Sequence, residues 1–125
     1  MEKNFESKVC DGRIKTPQEL EKFLGKDSLV ICRGVEKALF VFHNDEWEAF
    51  GEKLFSYGKS STAERIISYF LRDALPVTWD GEALEIPALF MEFAGLKNGD
   101  KVELSLAEQE EFERLVIRRK KCNEN

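Results

Sequence analysis

The sequence is poor in the residues that build metal sites and covalent catalytic sites. It has a single histidine, His43, and its three cysteines, Cys10, Cys32 and Cys122, are too widely spaced for a zinc or haem motif. No serine or cysteine has a histidine near it in sequence, and there is no glycine-rich phosphate-binding loop. We therefore expect no enzyme, no metal, no cofactor and no small-molecule substrate. Unpatterned cysteines are typical of reduced thiols in the cytoplasm.

Long apolar runs are missing as well. No stretch approaches the roughly 20 apolar residues that span a bilayer, and the N-terminal MEKNFESKV lacks the charged-then-apolar order of a signal peptide. These absences predict a soluble protein without a membrane partner. A hydrophobic content of 42% with ten phenylalanines, in a chain of 125 residues, is enough to build one core.

The net charge of -5 is distributed unevenly along the chain. Residues 1–42 hold eight basic and seven acidic side chains, residues 43–113 hold six and sixteen, and residues 114–125 hold five and one. Affinity for nucleic acid comes mainly from lysine and arginine at phosphates. Any anion-binding face is therefore expected to come from the first third of the chain and from its C-terminal end.

Two stretches of the sequence look like copies of one unit. CDGRIKTPQEL begins at Cys10 and WDGEALEIPAL begins at Trp79, and each has an Asp-Gly turn, a short alternating strand, a proline and a helix-like run. A shift of 70 aligns Ile14 with Leu84 and Pro17 with Pro87; a shift of 73 then aligns Leu29 with Val102, Leu39 with Phe112 and Phe42 with Leu115. The ordered matches predict an internal duplication. Chance agreement between two amphipathic halves is the alternative.

Helix starts are predicted at three capping residues. Thr16, followed by proline at the first helical position, opens a short helix, while Asn44 and Ser61 open two longer ones between the copies. The C-terminal stretch is ambiguous, since Ser105 could cap a helix running through Arg119. The repeat register instead favours a strand over residues 112–117.

The motifs together resemble a known family. Its first half is matched by Arg13-Ile14-Lys15-Thr16-Pro17 after a glycine, Leu29-Val30-Ile31, Arg33-Gly34, Leu39-Phe40-Val41-Phe42 and Glu46-Trp47-Glu48. Its second half is matched by Ile86-Pro87-Ala88 and Phe93-Ala94-Gly95-Leu96. In this order, over roughly residues 5–117, the chain resembles the MraZ family of bacterial transcriptional regulators.

The resemblance implies an α+β fold, namely a duplicated swapped-hairpin SpoVT/AbrB-type β-barrel with short helices and a helical linker. The expected division is residues 1–58 for the first repeat with its helix, 59–75 for the linker, 76–117 for the second repeat and 118–125 for a basic tail. All four parts are expected to form one compact structural unit.

The resemblance also implies a function. Members of the family assemble into a homo-oligomeric ring and bind promoter repeats in double-stranded DNA, so we expect a cytoplasmic, nucleoid-associated regulator. Arg13 matches the arginine of the family's Asp-x-x-x-Arg signature, while Val9 stands at its aspartate. The second copy has Ala83 at the arginine position. DNA contact is therefore expected mainly from the first repeat.

The predicted DNA-binding residues are Arg13, Lys15 and Lys8, with Arg118 and Arg119. The first three are close in sequence, and arginine can contact phosphate or pair with guanine. The last two begin a run of four basic residues that could add nonspecific phosphate contacts. Solvated surface cations and a disordered solubilising tail are the alternative interpretations.

A second hypothesis keeps the fold and changes the partner. Glu82 and Glu85 would repel phosphate if they occupied the face where the first copy has Arg13 and Lys15. The chain would then be a diverged scaffold that binds a protein and not DNA. Trp47 and Trp79 are interpreted as packing residues.

Overall fold

The computed structural model describes residues 3–25, 28–107 and 112–120. The described strands are β1 (Lys3–Cys10), β2 (Arg13–Lys15), β3 (Leu29–Arg33), β4 (Leu39–His43), β5 (Leu75–Trp79), β6 (Ala83–Glu85), β7 (Lys101–Ala107) and β8 (Arg114–Arg119). The helices are α1 (Glu21–Leu24), which continues a 3-10 turn at Gln18–Leu20, α2 (Asn44–Phe55), α3 (Ser61–Leu71) and α4 (Ala88–Ala94).

The strands form a closed antiparallel barrel in the order β1-β2-β6-β5-β3-β4-β8-β7. Each half of the chain supplies two hairpins, and the hairpins of one half lie between those of the other. β1 pairs with β7 and β5 pairs with β3, so both contacts join the first half to the second. This interleaving confirms the predicted α+β fold with a swapped-hairpin barrel.

The two halves are related by a pseudo-twofold axis at the β2–β6 pair, where Ile14 faces Leu84. The Thr16 amide donates to the Glu82 carbonyl at 2.8 Å, and the Ile86 amide donates to the Gly12 carbonyl at 2.9 Å. A shift of 70 residues exchanges these two hydrogen bonds. The axis thus relates the two copies of the repeated unit in space as the sequence relates them along the chain.

On the opposite wall of the barrel, one part of the predicted alignment was wrong. Leu29 is opposite His43, and its counterpart Val102 is opposite Arg119. The axis therefore exchanges His43 with Arg119 and Leu39 with Leu115, not with Phe112. The true shift at β4 and β8 is 76 residues, because the β7–β8 connection has gained three further positions. The C-terminal ambiguity is resolved for residues 114–119, which form a strand.

Two turns set the ends of the β1–β2 and β5–β6 hairpins. Asp11 and Gly12 form the two-residue loop of the first, with φ of 53° and 76°; positive φ at both positions is required in a type I′ hairpin. In the second hairpin, Asp80 is still hydrogen-bonded to Ala83, and Gly81, with φ of 98°, is the first loop residue. Relative to the loop of its hairpin, the second Asp-Gly pair therefore lies one residue earlier than the first.

Buried side chains form two layers. The barrel interior is filled by aliphatic and aromatic side chains from both halves, among them Ile14, Leu84 and Phe90, which are fully buried. A second cluster lies outside the barrel wall, where Phe40 and Phe42 of β4 pack under α2 and α3. The helices between the two copies therefore cover one wall of the barrel and leave the β2–β6 wall open.

Local structure differs from the sequence predictions at the helix starts. Thr16 does not cap a helix; its hydroxyl donates to the Glu82 carbonyl and accepts from the Trp79 indole, so it joins the two halves. Ser60, not Ser61, caps α3 by accepting from the Ala63 amide at 3.1 Å. Asn44 is already the first residue of α2, without a side-chain cap.

Candidate nucleic-acid interface

Three exposed lysines lie side by side on the outer surface of β7, β1 and β2. Lys8 is directly opposite Lys101. Val9 pairs with Ile14, and the same register, continued by one residue, brings Lys15 level with Lys8. Since neighbouring strands are about 4.8 Å apart, this lysine row (Lys101, Lys8, Lys15) concentrates three positive charges in one stripe.

The lysine row is unfavourable for the barrel on its own. Like charges directly opposite each other destabilise an antiparallel pair by up to about 1 kcal/mol. Within the described residues, no carboxylate lies within 4.0 Å of the three ammonium groups. Glu6, whose pKa Lys101 helps to lower, interacts with the row only beyond that distance, so most of the charge is available to an anion from solution.

Arg13 lies beside the row but is already paired. Its guanidinium forms an ion pair with the carboxylate of Asp80 from the other half of the chain. The two side chains are 44% and 43% exposed, and an ion pair at that exposure contributes at most about 1 kcal/mol. The Arg13 guanidinium could therefore leave Asp80 for a phosphate at small cost.

Asp80 is held in place by its other oxygen. Its Oδ1 accepts from the amides of Glu82 and Ala83, both at 2.9 Å, while Oδ2 faces Arg13. Glu85 is directly opposite Arg13 in the β2–β6 pair. Together these groups line a shallow cavity of about 140 Å³ in which one cation faces two carboxylates.

The pseudo-twofold axis separates a basic half of this wall from a neutral or acidic one. Across the axis, the positions of Lys8 and Lys15 are taken by Thr78 and Glu85, while Arg13 corresponds to Ala83. Thr78 and Glu85 are exposed, as are their lysine counterparts. The arrangement therefore offers one anion-binding stripe per chain.

Arg118 and Arg119 are not in a tail. Both belong to β8, opposite Glu103 and Val102 of β7, so the predicted boundary after Ile117 falls inside a strand. The boundary is wrong because pairing with β7 decides where β8 ends, and a run of basic residues in the sequence does not indicate that pairing. The structure does not bring these two arginines into the lysine row.

Arg118, Arg119 and Lys120 already have carboxylate partners. Arg118 lies 3.5 Å from Glu36, and Arg119 lies 3.5 Å from Asp100. Lys120 is ion-paired with Glu6. Its hydrogen bond and charge, helped by Lys101, lower the pKa of that exposed carboxyl. These pairs fasten the end of β8 to the barrel.

The remaining candidate chemistry is structural. His43 is buried, and its Nε2 lies 2.5 Å from the Phe23 carbonyl oxygen, with the two rings 4.2 Å apart. Cys32 is fully buried, and burial raises the pKa of its thiol to about 12. Cys10 is exposed. In the described part of the chain, no three histidine, cysteine or acidic side chains are grouped to hold a metal ion.

The helices are short. Across residues 3–25, 28–107 and 112–120, none is both long and apolar enough to cross a membrane.

Comparison with known proteins identifies relatives. Residues 10–69, which include Arg13 and Lys15, match the family model described as "MraZ protein, putative antitoxin-like". The chain is 31% identical over 96 residues to the transcriptional regulator MraZ of Thermus thermophilus, covering 75% of this chain and 66% of that protein. It is 33% identical over 88 residues to the protein of the same name from Symbiobacterium thermophilum, covering 69% and 63%.

A third relative, the transcriptional regulator MraZ of Lachnoclostridium phytofermentans, is 31% identical over 86 residues, covering 68% of this chain and 60% of that protein. The chain thus spans somewhat less than two thirds of the length of the relatives it matches. The matched family segment begins at Cys10, the last residue of β1, and runs through most of α3. By its family match and by these relatives, the chain belongs to the MraZ family.

Proposed function

We propose that this protein is a transcriptional regulator that binds double-stranded DNA through the lysine row. The observation that carries the proposal is the direct opposition of Lys8 and Lys101, with no carboxylate of the described residues within 4.0 Å of either ammonium group. Such a pair is unfavourable in the free barrel and becomes favourable when a phosphate lies between the two ammonium groups. The names of the relatives support regulation of transcription.

Arg13 is the proposed base-reading or phosphate-reading residue beside the row. On DNA, its guanidinium exchanges the Asp80 carboxylate for a phosphate or a guanine edge. The exchange is feasible because both partners are nearly half exposed. Arg118 and Arg119, paired at the end of β8, contribute to stability in this proposal and not to DNA contact.

Self-association would multiply the single stripe of each chain. Phe55 and Tyr57, at the end of α2, are 63% and 61% exposed, and exposed aromatic side chains are common at protein contacts. We propose a ring-like homo-oligomer that presents several lysine rows to promoter repeats in the cytoplasmic nucleoid. Linked weak contacts then gain avidity without new interactions.

A protein-binding scaffold is the second candidate. It is favoured by the carboxylates of Asp80 and Glu85, which neutralise Arg13 in the free protein. On this hypothesis the lysine row would recognise an acidic protein surface, and DNA affinity would be negligible at physiological salt.

Fluorescence anisotropy with the DNA upstream of the protein's own gene tests the proposal. The triple variant Lys8→Gln, Lys15→Gln, Lys101→Gln should weaken binding and reduce the slope of log K against log salt by about 0.9 per lost phosphate contact. The matched control changes Lys37, Lys59 and Arg65 to glutamine, which removes the same charge elsewhere.

Equal losses in the two triple variants would mean that only net charge matters and would refute the proposed surface. Absence of DNA binding by the unaltered protein would favour the scaffold. Size-exclusion chromatography with light scattering tests the ring separately, with Phe55→Ser and Tyr57→Ser expected to lower the oligomer mass.

A further inference from the structure

A second cavity lies on the wall of the barrel opposite the lysine-bearing β2. It has a volume of about 310 Å³ and is lined by five phenylalanines, by Val35 and by Arg114. It sits where β4 and β8 face α2 and α3, and the β4–β8 pair lies across the eight-strand ring from the β2–β6 pair. The proposed DNA surface does not use it.

The aromatic walls of this cavity support one another. The Phe50 ring stacks on Phe42 at 5.0 Å between centroids and meets Phe70 and Phe112 edge-on at 5.3 and 5.5 Å. Side chains fixed by several ring contacts form a preorganised apolar surface. A ligand would therefore lose little affinity to ordering of the wall.

Arg114 gives the cavity a polar group with unused capacity. Its guanidinium lies 4.7 Å from the Phe40 ring centroid, and one terminal nitrogen donates to the Phe112 carbonyl at 3.0 Å. Its Nε is buried and has no hydrogen-bond partner among the described residues. A buried donor without a partner is destabilising.

The other strand arginines differ in that their charge is paired. Arg33 also has a buried Nε without a hydrogen-bond partner, but its terminal nitrogen is ion-paired with Asp73. Arg13, Arg33, Arg118 and Arg119 each pair with a carboxylate. Among the described residues, Arg114 has no carboxylate within 4.0 Å. A guanidinium in that state, beside an apolar cavity, is complementary to an anion that carries an apolar body.

We propose that this cavity, the Phe-Arg pocket, binds a small amphipathic carboxylate. The carboxylate would accept from Nε and a neighbouring terminal nitrogen of Arg114, the fork geometry that guanidinium groups use for carboxylates. Because Nε is buried in the free protein, this requires the Arg114 side chain to turn slightly toward the cavity on binding. An aryl or short alkyl chain would lie among the phenylalanine rings. The volume is at the lower end of ordinary ligand sites, which limits the ligand to about a dozen heavy atoms. This site is independent of DNA binding.

Titration with 4-phenylbutyrate, followed by proton–nitrogen NMR, tests the pocket. The Trp47 ring lies 5.7 Å from Phe42 and 6.0 Å from Phe50, so its indole N–H should shift saturably. The Trp79 indole, which donates to Thr16, should not move. The uncharged 4-phenylbutan-1-ol should bind about tenfold more weakly, because the charged hydrogen bonds are lost.

Three variants at two positions of β8 complete the test. Arg114→Met should abolish the preference for the acid over the alcohol, whereas Arg118→Met should keep it. Arg114→Lys, which retains the charge and loses the fork, should give an intermediate preference and serves if the methionine variant fails to fold. The proposal is overturned if Trp47 shows no saturable shift up to about 10 mM ligand, or if the acid and the alcohol bind the unaltered protein equally.

Discussion

Arg13 in β2 is ion-paired with Asp80, which comes from the other half of the chain. The pair exists because the Asp-Gly turns of the two hairpins differ by one residue, which leaves Asp80 on the strand side of its turn. Across the pseudo-twofold axis, the corresponding positions are Cys10 and Ala83, which carry no charge pair. Arg13 is the most specific candidate for DNA recognition, and in the free protein a carboxylate holds it. The symmetry-related pair of positions contains no carboxylate.

Asp80→Asn should release Arg13 while keeping the turn, since the amide oxygen can still accept from the Glu82 and Ala83 amides. We expect DNA affinity to rise severalfold and the salt slope to become steeper by about one phosphate. Anisotropy titrations at several salt concentrations measure both. Glu48→Gln on α2 is the charge-matched control, and an equal gain there would attribute the effect to net charge.

Transplanting the basic stripe across the axis should create a second one. Thr78→Lys with Glu85→Gln places a cation at the position related to Lys8 and removes the acid opposite Arg13. Affinity for nonspecific DNA should increase, with a salt slope steeper by one to two contacts, because each added phosphate contact contributes about 0.9. An unchanged slope would indicate that the second half faces away from the DNA.

Two truncations should separate the contribution of β8 from that of the last five residues. Removing residues 118–125 deletes the pairing of Arg118 and Arg119 with β7 and the ion pair of Lys120 with Glu6. The melting temperature should fall by several degrees. Removing only residues 121–125 keeps all of these pairs and is the matched control, so the melting temperature should fall less. Thermal unfolding by circular dichroism measures both, and equal melting temperatures for the two truncated proteins would contradict the strand assignment.

Two glycine substitutions should act in opposite directions. A Cβ at Gly34 would lie 2.7 Å from a Phe40 ring carbon and 2.9 Å from the Ala38 carbonyl oxygen, so Gly34→Ala should cost about 1–3 kcal/mol. A Cβ at Gly51 in α2 would have no atom within 4 Å, so Gly51→Ala should raise the free energy of unfolding by about 0.5–1 kcal/mol. Urea denaturation measures both, and the predicted difference in sign is the test.

Burial of Cys32 should make stability fall at alkaline pH. Its pKa is raised from the ordinary 9.0 to about 12, so the unfolded chain releases the thiol proton first. The contribution is complete below about pH 9 and declines by up to about 1.4 kcal/mol per pH unit toward pH 12. Cys32→Ala should flatten this part of the pH profile of unfolding free energy, whereas Cys10→Ala should not.

Most of the strand pattern could be predicted from local signals. The alternation at Arg13–Lys15 and the apolar strands around Ile31 and Val41 specify short strands, and the repeated proline and glycine mark their ends. These signals depend on a few adjacent residues. For the same reason they do not give the register between strands that are distant in sequence. The alignment of Leu39 with Phe112 and the assignment of Arg118 to a tail are wrong because both depend on that register.

Only part of the candidate surface could be predicted from the sequence. Lys8, Arg13 and Lys15 are close along the chain, but Lys101 belongs to the acidic middle and reaches Lys8 only through the β1–β7 pairing. A usable signal was the outward position of Lys101 one residue before buried Val102. The Asp80 partner of Arg13 had no comparable signal, because it depends on how the two hairpins pack across the axis.

The interleaved strand order also determines how the protein can be divided. Since β1 pairs with β7 and β5 with β3, a half-chain on its own would expose unpaired strand edges on both sides of its hairpins. Cleavage in the short α2–α3 connection would give two polypeptides that acquire structure by finding each other. In this respect the two halves of the chain behave like the subunits of an obligate heterodimer, since each needs the other to complete its strand pairing.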